Sequence, residues 1–255
     1  MRAKAVAVLT ICVSLAFCAS SQAKNQRARE KDPKYQYNLG LFYLNQNNAD
    51  EAVKSFVKTL ALDTRYFLAW NALGLAHASK GRLVESAKAF QKCLEINPQF
   101  TEARNNLGTV YQESGYLDKA EEEFKKALLD VGYQSRESAY HNLARLQVVQ
   151  GRLDEALDNC HKAIQLKPRF AMAYDLRGII YEKLNSLGEA IASYEMAVKI
   201  VPDEVPFSYH LAVAYFKNGD YDKAKEIFLK ISGKVTDAES KETIANYLKQ
   251  IRDKG

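Results

Sequence analysis

Residues 107–124 read LGTVYQESGYLDKAEEEF, and residues 73–90 read LGLAHASKGRLVESAKAF. Both carry Gly at the second and ninth places and Phe at the last. The ninth place recurs along the whole chain as Asn47, Gly81, Gly115, Gly151, Asn185 and Gly219, at spacings of 34, 34, 36, 34 and 34 residues. A fixed period of that size marks a repeat array of paired helices. Gly and Asn tolerate the left-handed conformation in which helices commonly end. The marker therefore predicts six places where one helix stops and a second begins. A stack of such pairs offers a long concave surface but no enclosed pocket built for chemistry.

The remaining places of the pattern agree. Seven residues before each marker stands a small residue: Gly40, Gly74, Gly108, Ala144, Gly178 and Ala212. It lets two helices approach closely. Nine residues after the marker come Phe56, Phe90, Phe124, Cys160, Tyr194 and Phe228, and three further on Thr59, Cys93, Ala127, Ala163, Ala197 and Ile231. With Ala52, Ser86 and their equivalents four residues earlier, these lie on one helical face. Pro98, Pro168 and Pro202 close three of the second helices, because Pro cannot continue a helix.

These residues resemble the tetratricopeptide repeat over 33–236, with Trp70 where that repeat often has Trp. The fold class expected is all-α: a right-handed solenoid of six helix-turn-helix repeats, starting at 33, 67, 101, 137, 171 and 205. A capping helix is expected over 237–255. There Ile244, Tyr247, Leu248 and Ile251 form an apolar stripe, and Glu239, Lys241, Glu242, Lys249, Gln250 and Arg252 a polar one. His77 and Gln147 replace the usual aromatic and Arg177 a usual Leu. Looser local packing is expected at these three.

Composition narrows the class. The 255 residues carry a net charge of +5, which falls to +3 without Arg2 and Lys4. That balance gives no reason to expect a nucleic-acid partner. Arg2 and Lys4 followed by the 13-residue, mostly apolar run Ala5–Phe17 read as a signal peptide, too short for a spanning helix. Two processing sites compete. Ser21-Gln22-Ala23 would release a chain from Lys24, making 1–23 the signal. Leu15-Ala16-Phe17-Cys18 resembles a lipobox, making 1–17 the signal and Cys18 the lipidation candidate. Residues 24–32 are polar and charged and read as a flexible tether. Export to the periplasm is expected, with anchoring at the outer membrane if Cys18 carries lipid.

No catalytic motif stands out, so no enzyme activity and no cofactor is expected. His141, Cys160 and His161 share a repeat but point differently along their helices and lack a fourth ligand, so no metal is expected. Cys93 and Cys160 take core positions two repeats apart. Helices stack about 8–10 Å apart, so these two lie beyond the about 7 Å limit for a disulfide. Both read as small buried hydrophobes. Glu121-Glu122-Glu123 reads as a solvated run.

In the tetratricopeptide family the first helix of each pair lines the groove. The candidate partner-binding residues are Tyr37, Asn38, Leu41, Asn71, Leu75, Asn105, Asn106, His141, Asn142, Asp175 and Tyr209. Asn offers both donor and acceptor, so a row of them suits an extended backbone, and the apolar residues between suit a partner helix. The expected partner is a protein segment, extended or helical; membrane contact is expected only through the N-terminal lipid. Family members that clamp acidic chaperone tails use Lys or Arg where this chain has Tyr37, Glu102 and Asn106, which argues against such a tail.

The 36-residue interval adds two residues in Lys125–Arg136. Its Asp130-x-x-Tyr133-x-x-Arg136 pattern, followed by Ala139 and Asn142-Leu143, resembles the bacterial type IV pilus biogenesis and stability lipoproteins, the PilF/PilW pilotins. That resemblance covers about residues 33–231. It implies six repeats behind an exported, lipidated N-terminus and a role in helping secretin subunits assemble at the outer membrane. The alternative is an envelope adaptor that recruits cell-wall enzymes or another secretion complex.

Overall fold

The computed structural model describes residues 28–254. The signal segment, both processing sites, Cys18 and tether residues 24–27 lie outside the described residues. Every regular element among the described residues is helical. From Pro33 onward they form α1 (Pro33–Asn45), α2 (Ala49–Leu62), α3 (Phe67–Ala78), α4 (Leu83–Ile96), α5 (Thr101–Glu113), α6 (Leu117–Leu129), α7 (Arg136–Val149), α8 (Leu153–Leu166), α9 (Ala171–Lys183), α10 (Leu187–Ile200), α11 (Val205–Asn218), α12 (Tyr221–Ser232) and α13 (Ala238–Lys254). The first helix of every repeat starts at the expected residue, except α7, which starts one residue early.

All six markers have positive φ, from 55° at Asn47 to 87° at Gly219. Each is followed by the same closure: the next residue's N–H donates to the carbonyl five residues back. Examples are Asn48 to Tyr43 at 2.9 Å, Arg82 to His77 at 3.0 Å and Asp220 to Tyr215 at 3.0 Å. This six-residue ring satisfies carbonyls that a helix end leaves without partners. At every marker except Gly115 the second helix then packs back against the first.

The packing divides the chain into two compact units, one ending at Tyr116 and the other starting at Leu117, inside the third repeat. In the first unit Phe56 and Phe90 are fully buried. A Cβ built on Gly40 would lie 2.4 Å from the Phe56 ring, and one on Gly74 would lie 2.6 Å from the Phe90 ring. The small residue is therefore required by the ring. Trp70 packs against the clusters around both phenylalanines, and its indole N–H donates to the Thr64 carbonyl at 3.0 Å.

In the second unit the same relation holds between Gly178 and Tyr194, at 2.4 Å. Where the small residue is Ala144, the partner place holds Cys160, which is buried in the same cluster. Ala at the small place does not by itself demand the Cys, because in the sixth repeat Ala212 shares a buried cluster with Phe228. Both Cys93 and Cys160 are free, buried thiols, as expected. Burial pushes each up to about 12.

Looser packing at Gln147 is not what the structure shows. Gln147 is 2% exposed. Its amide oxygen accepts from Asn159 at 2.8 Å, and its amide nitrogen donates to Glu155 at 3.1 Å. Arg152 joins this network to the preceding repeat through Glu121 at 2.5 Å. Glu121, the first of the three consecutive glutamates, is therefore an inter-repeat tie and not a solvated charge. Arg177 is likewise held, by Ser193 at 3.1 Å and over the Tyr174 ring at 5.0 Å. At His77 the cost is visible: Nδ1 is buried without a partner.

The two added residues shape the turn between α6 and α7. Asp130 accepts from the Gly132 N–H at 2.9 Å and from the Tyr133 N–H, through its backbone carbonyl, at 3.2 Å. That local closure leaves Leu129 and Val131 pointing to solvent. At the C-terminal end, α13 buries Ile244 and Ile251 and stacks Tyr247 on Phe228 at 4.9 Å. Asp237 caps it by accepting from the Ser240 N–H at 2.8 Å. The polar stripe expected on α13 faces solvent throughout.

Candidate peptide-binding faces

In the first unit the candidate face is built by α1, α3 and α5. The fifth residues of α3 and α5, Asn71 and Asn105, are turned into the array, whereas the sixth residues of α1 and α5, Asn38 and Asn106, reach the surface; the sixth residue of α3, Ala72, is core. Asn71 and Asn105 are each 7% exposed. Asn106 is half-buried and donates through Nδ2 to the Asn71 amide oxygen at 3.2 Å. Tyr37 is half-buried with its ring 5.1 Å from Tyr66, and burial raises its phenol above the usual range. Asn38 and Leu75 are exposed and Leu41 is half-buried. Part of the expected Asn ladder is thus spent on holding repeats together. The solvent-facing part consists of Asn38, Leu41, Leu75 and the outer edge of Asn106.

In the second unit α7, α9 and α11 form the equivalent face. Asp175 is 9% exposed, and its carboxylate meets His210 Nδ1 at 2.7 Å. His141 is half-buried against Phe170, at 5.5 Å. Burial lowers its pKa to about 4, with Arg145 adding to the effect; the Asn142 hydrogen bond and Asp175 oppose it. The ring is neutral at physiological pH. Asn142 is half-buried, and so is Tyr209, whose ring lies 6.2 Å from Phe228 and 6.4 Å from Tyr247. Met172 is exposed beside them in the sequence pattern.

The structure adds a feature that the sequence reading missed. Val205, Pro206, Tyr209 and His210 of α11 face Glu239, Ser240, Thr243 and Ile244 of α13 across a cleft of about 350 Å³, floored by Val235. Beyond the cleft, Tyr247 of α13 packs against Tyr209 and Phe216 of α11, at 6.4 and 5.1 Å between ring centres. The Asp175–His210 pair was also missed, though its signal was present. Asn71–Asn106 and Asp175–His210 are both 35 residues apart, one repeat plus one residue.

Among the described residues no cluster of three or more His, Cys, Asp or Glu is placed to hold a metal ion. No described helix is long and apolar enough to cross a membrane. Chemically, the two faces can offer amide hydrogen bonds, one buried carboxylate–imidazole pair and apolar contact.

Several solved structures share this fold. PilW, described as a widely conserved type IV pilus biogenesis factor, superposes with a TM-score of 0.76 at 19% identity, covering 84% of this chain and 98% of its own. PilF of Pseudomonas aeruginosa gives 0.71 at 17% identity, covering 86% and 99%. YrrB, described as a tetratricopeptide protein with an unusual peptide-binding site, gives 0.54 at 21%, covering 72% and 94%. No curated protein matches the sequence significantly. The family model of the tetratricopeptide repeat protein 21 C-terminal ARM domain matches residues 16–237. The chain belongs to that family of helical repeat proteins, and within the tetratricopeptide fold it resembles the type IV pilus factors.

Proposed function

We propose that this chain is a non-catalytic, exported protein-binding scaffold of the pilotin kind, acting in the periplasm to help secretin subunits assemble at the outer membrane. The supporting observation is one of extent. The superposition takes in 84–86% of this chain and 98–99% of the PilW and PilF chains. This chain also carries the two-residue addition closed by Asp130 between its third and fourth repeats. Open helical faces lined by amides and apolar side chains suit a client segment better than a small substrate.

Deletion of the gene tests the reading. Assembled secretin multimers and surface pili should fall while secretin monomer persists. Wild-type secretin assembly and pili, in a strain with no second copy, would refute it. Pull-down from detergent-solubilised envelope separates the alternative: recovery of cell-wall hydrolases or synthases without secretin would favour the adaptor.

A further inference from the structure

In the five later repeats, counted from residues 67, 101, 137, 171 and 205, the third and tenth residues are buried, from Ala69 and Ala76 to Phe207 and Ala214. These are the places where a first helix packs on the elements before it. In α1 the same places hold Tyr35 and Phe42, which are 39% and 56% exposed. The array thus begins with two large aromatic rings where the interior repeats mostly keep small or aliphatic side chains.

The rings share a face with polar and cationic groups. Lys34, Tyr35, Asn38, Phe42 and Asn45 are all exposed and fall within about 100° of one another around the helix. Arg29 and Lys31 precede them and are exposed. Over residues 24–34 the sequence carries Lys24, Arg27, Arg29, Lys31 and Lys34 against Glu30 and Asp32. Asp32 is engaged as the α1 cap, accepting from the Lys34 N–H at 3.0 Å.

We propose that this end face of α1 seats on an anionic lipid surface. Tyr35 and Phe42 would enter the headgroup layer, and Arg29, Lys31 and Lys34 would meet lipid phosphates. Aromatic rings with flanking Lys and Arg are the composition of membrane-interface contacts. A second copy of the chain fits less well. Two rings separated by Asn38 and flanked by Lys34 make a small, charged patch, whereas stable dimer interfaces are larger and apolar. The inference needs neither a lipid on Cys18 nor a secretin client, so its failure and that of the pilotin reading are separable.

The probe is a vesicle of phosphatidylglycerol and phosphatidylethanolamine, with phosphatidylcholine vesicles as the control. The chain from Lys24 onward, which contains every described helix and has no acyl group, should co-sediment with the anionic vesicles and not with the neutral ones. Tyr35→Ser with Phe42→Ser should weaken that binding about tenfold at unchanged helicity, and Lys31→Glu with Lys34→Glu by a similar factor. Sedimentation velocity without lipid should show a monomer. Absence of vesicle binding, or binding indifferent to both double variants, would overturn the proposal. So would a dimer that Tyr35→Ser with Phe42→Ser dissociates, since the face would then belong to a second copy.

Discussion

His210 Nδ1 lies 2.7 Å from the carboxylate of Asp175, joining α11 to α9 across one repeat junction. Asp175 is buried, and this contact gives its carboxylate a hydrogen-bond partner. Removing one partner of a buried polar pair leaves the other unsatisfied. His210→Ala should destabilise the chain by about 1–3 kcal/mol in urea denaturation. Asp175→Asn, which keeps an acceptor for a donating imidazole, should cost less than Asp175→Ala. Equal costs for the two Asp175 variants would show that the pair is not a working tie.

The glycine–aromatic contact allows a test by compensation. Gly178→Ala would place a methyl 2.4 Å from the Tyr194 ring, which is fully enclosed and cannot retreat freely. Overpacking of this kind costs about 1–3 kcal/mol. The fourth repeat combines Ala144 with the smaller Cys160, and the sixth combines Ala212 with Phe228. Gly178→Ala combined with Tyr194→Cys should cost less than the sum of the two single changes. Additive costs in thermal or urea melts would show that the two residues are independent.

Much of this fold is legible from local chemistry. A left-handed turn residue, a small residue seven places earlier and a ring nine places later are each dictated by contacts within one repeat. Asn47 and Asn185 were recognisable because Asn shares with Gly a tolerance of positive φ. Gln147 was misjudged because its compensation, Asn159 and Glu155, lies on the other helix and shows no hydrophobic period. The candidate faces were half legible. Position within the repeat identified the helix and the side. It did not distinguish Asn71, Asn105 and Asp175, which are buried, from Asn38, which is exposed. Nor did the apolar stripe of α13 reveal the cleft, which is lined by residues of two helices far apart in sequence.

His141 makes stability depend on pH. Its folded pKa, about 4, lies below the ordinary value of 6.5, mainly through burial. The unfolded chain therefore takes up a proton as pH falls through about 6.5, while the folded chain resists until about 4. The contribution is fully present above about 6.5 and is lost progressively down to about 4, up to about 3 kcal/mol in all. His141→Phe should flatten the fall in melting temperature between those pH values while leaving neutral-pH stability within about 1 kcal/mol. A variant whose melting temperature falls as steeply as the parent's would assign the acid sensitivity to another group.

The last prediction separates client contact from packing on the first unit's face. Leu75 is exposed on α3, whereas Asn106 both reaches the surface and holds Asn71 at 3.2 Å. If this face carries the client, Leu75→Ser should weaken binding of the protein recovered from the envelope about tenfold, with the melting temperature unchanged. Asn106→Ala should weaken the same binding and also lower stability by about 1 kcal/mol, because Asn71 loses its donor. Asn71→Ala should lower stability with a smaller effect on binding. Calorimetric titration of each variant, paired with a thermal melt, reads both quantities. If Leu75→Ser binds as the parent does, the client lies elsewhere. The cleft between α11 and α13 would then be the next surface to vary, with Tyr209→Ala as the first change.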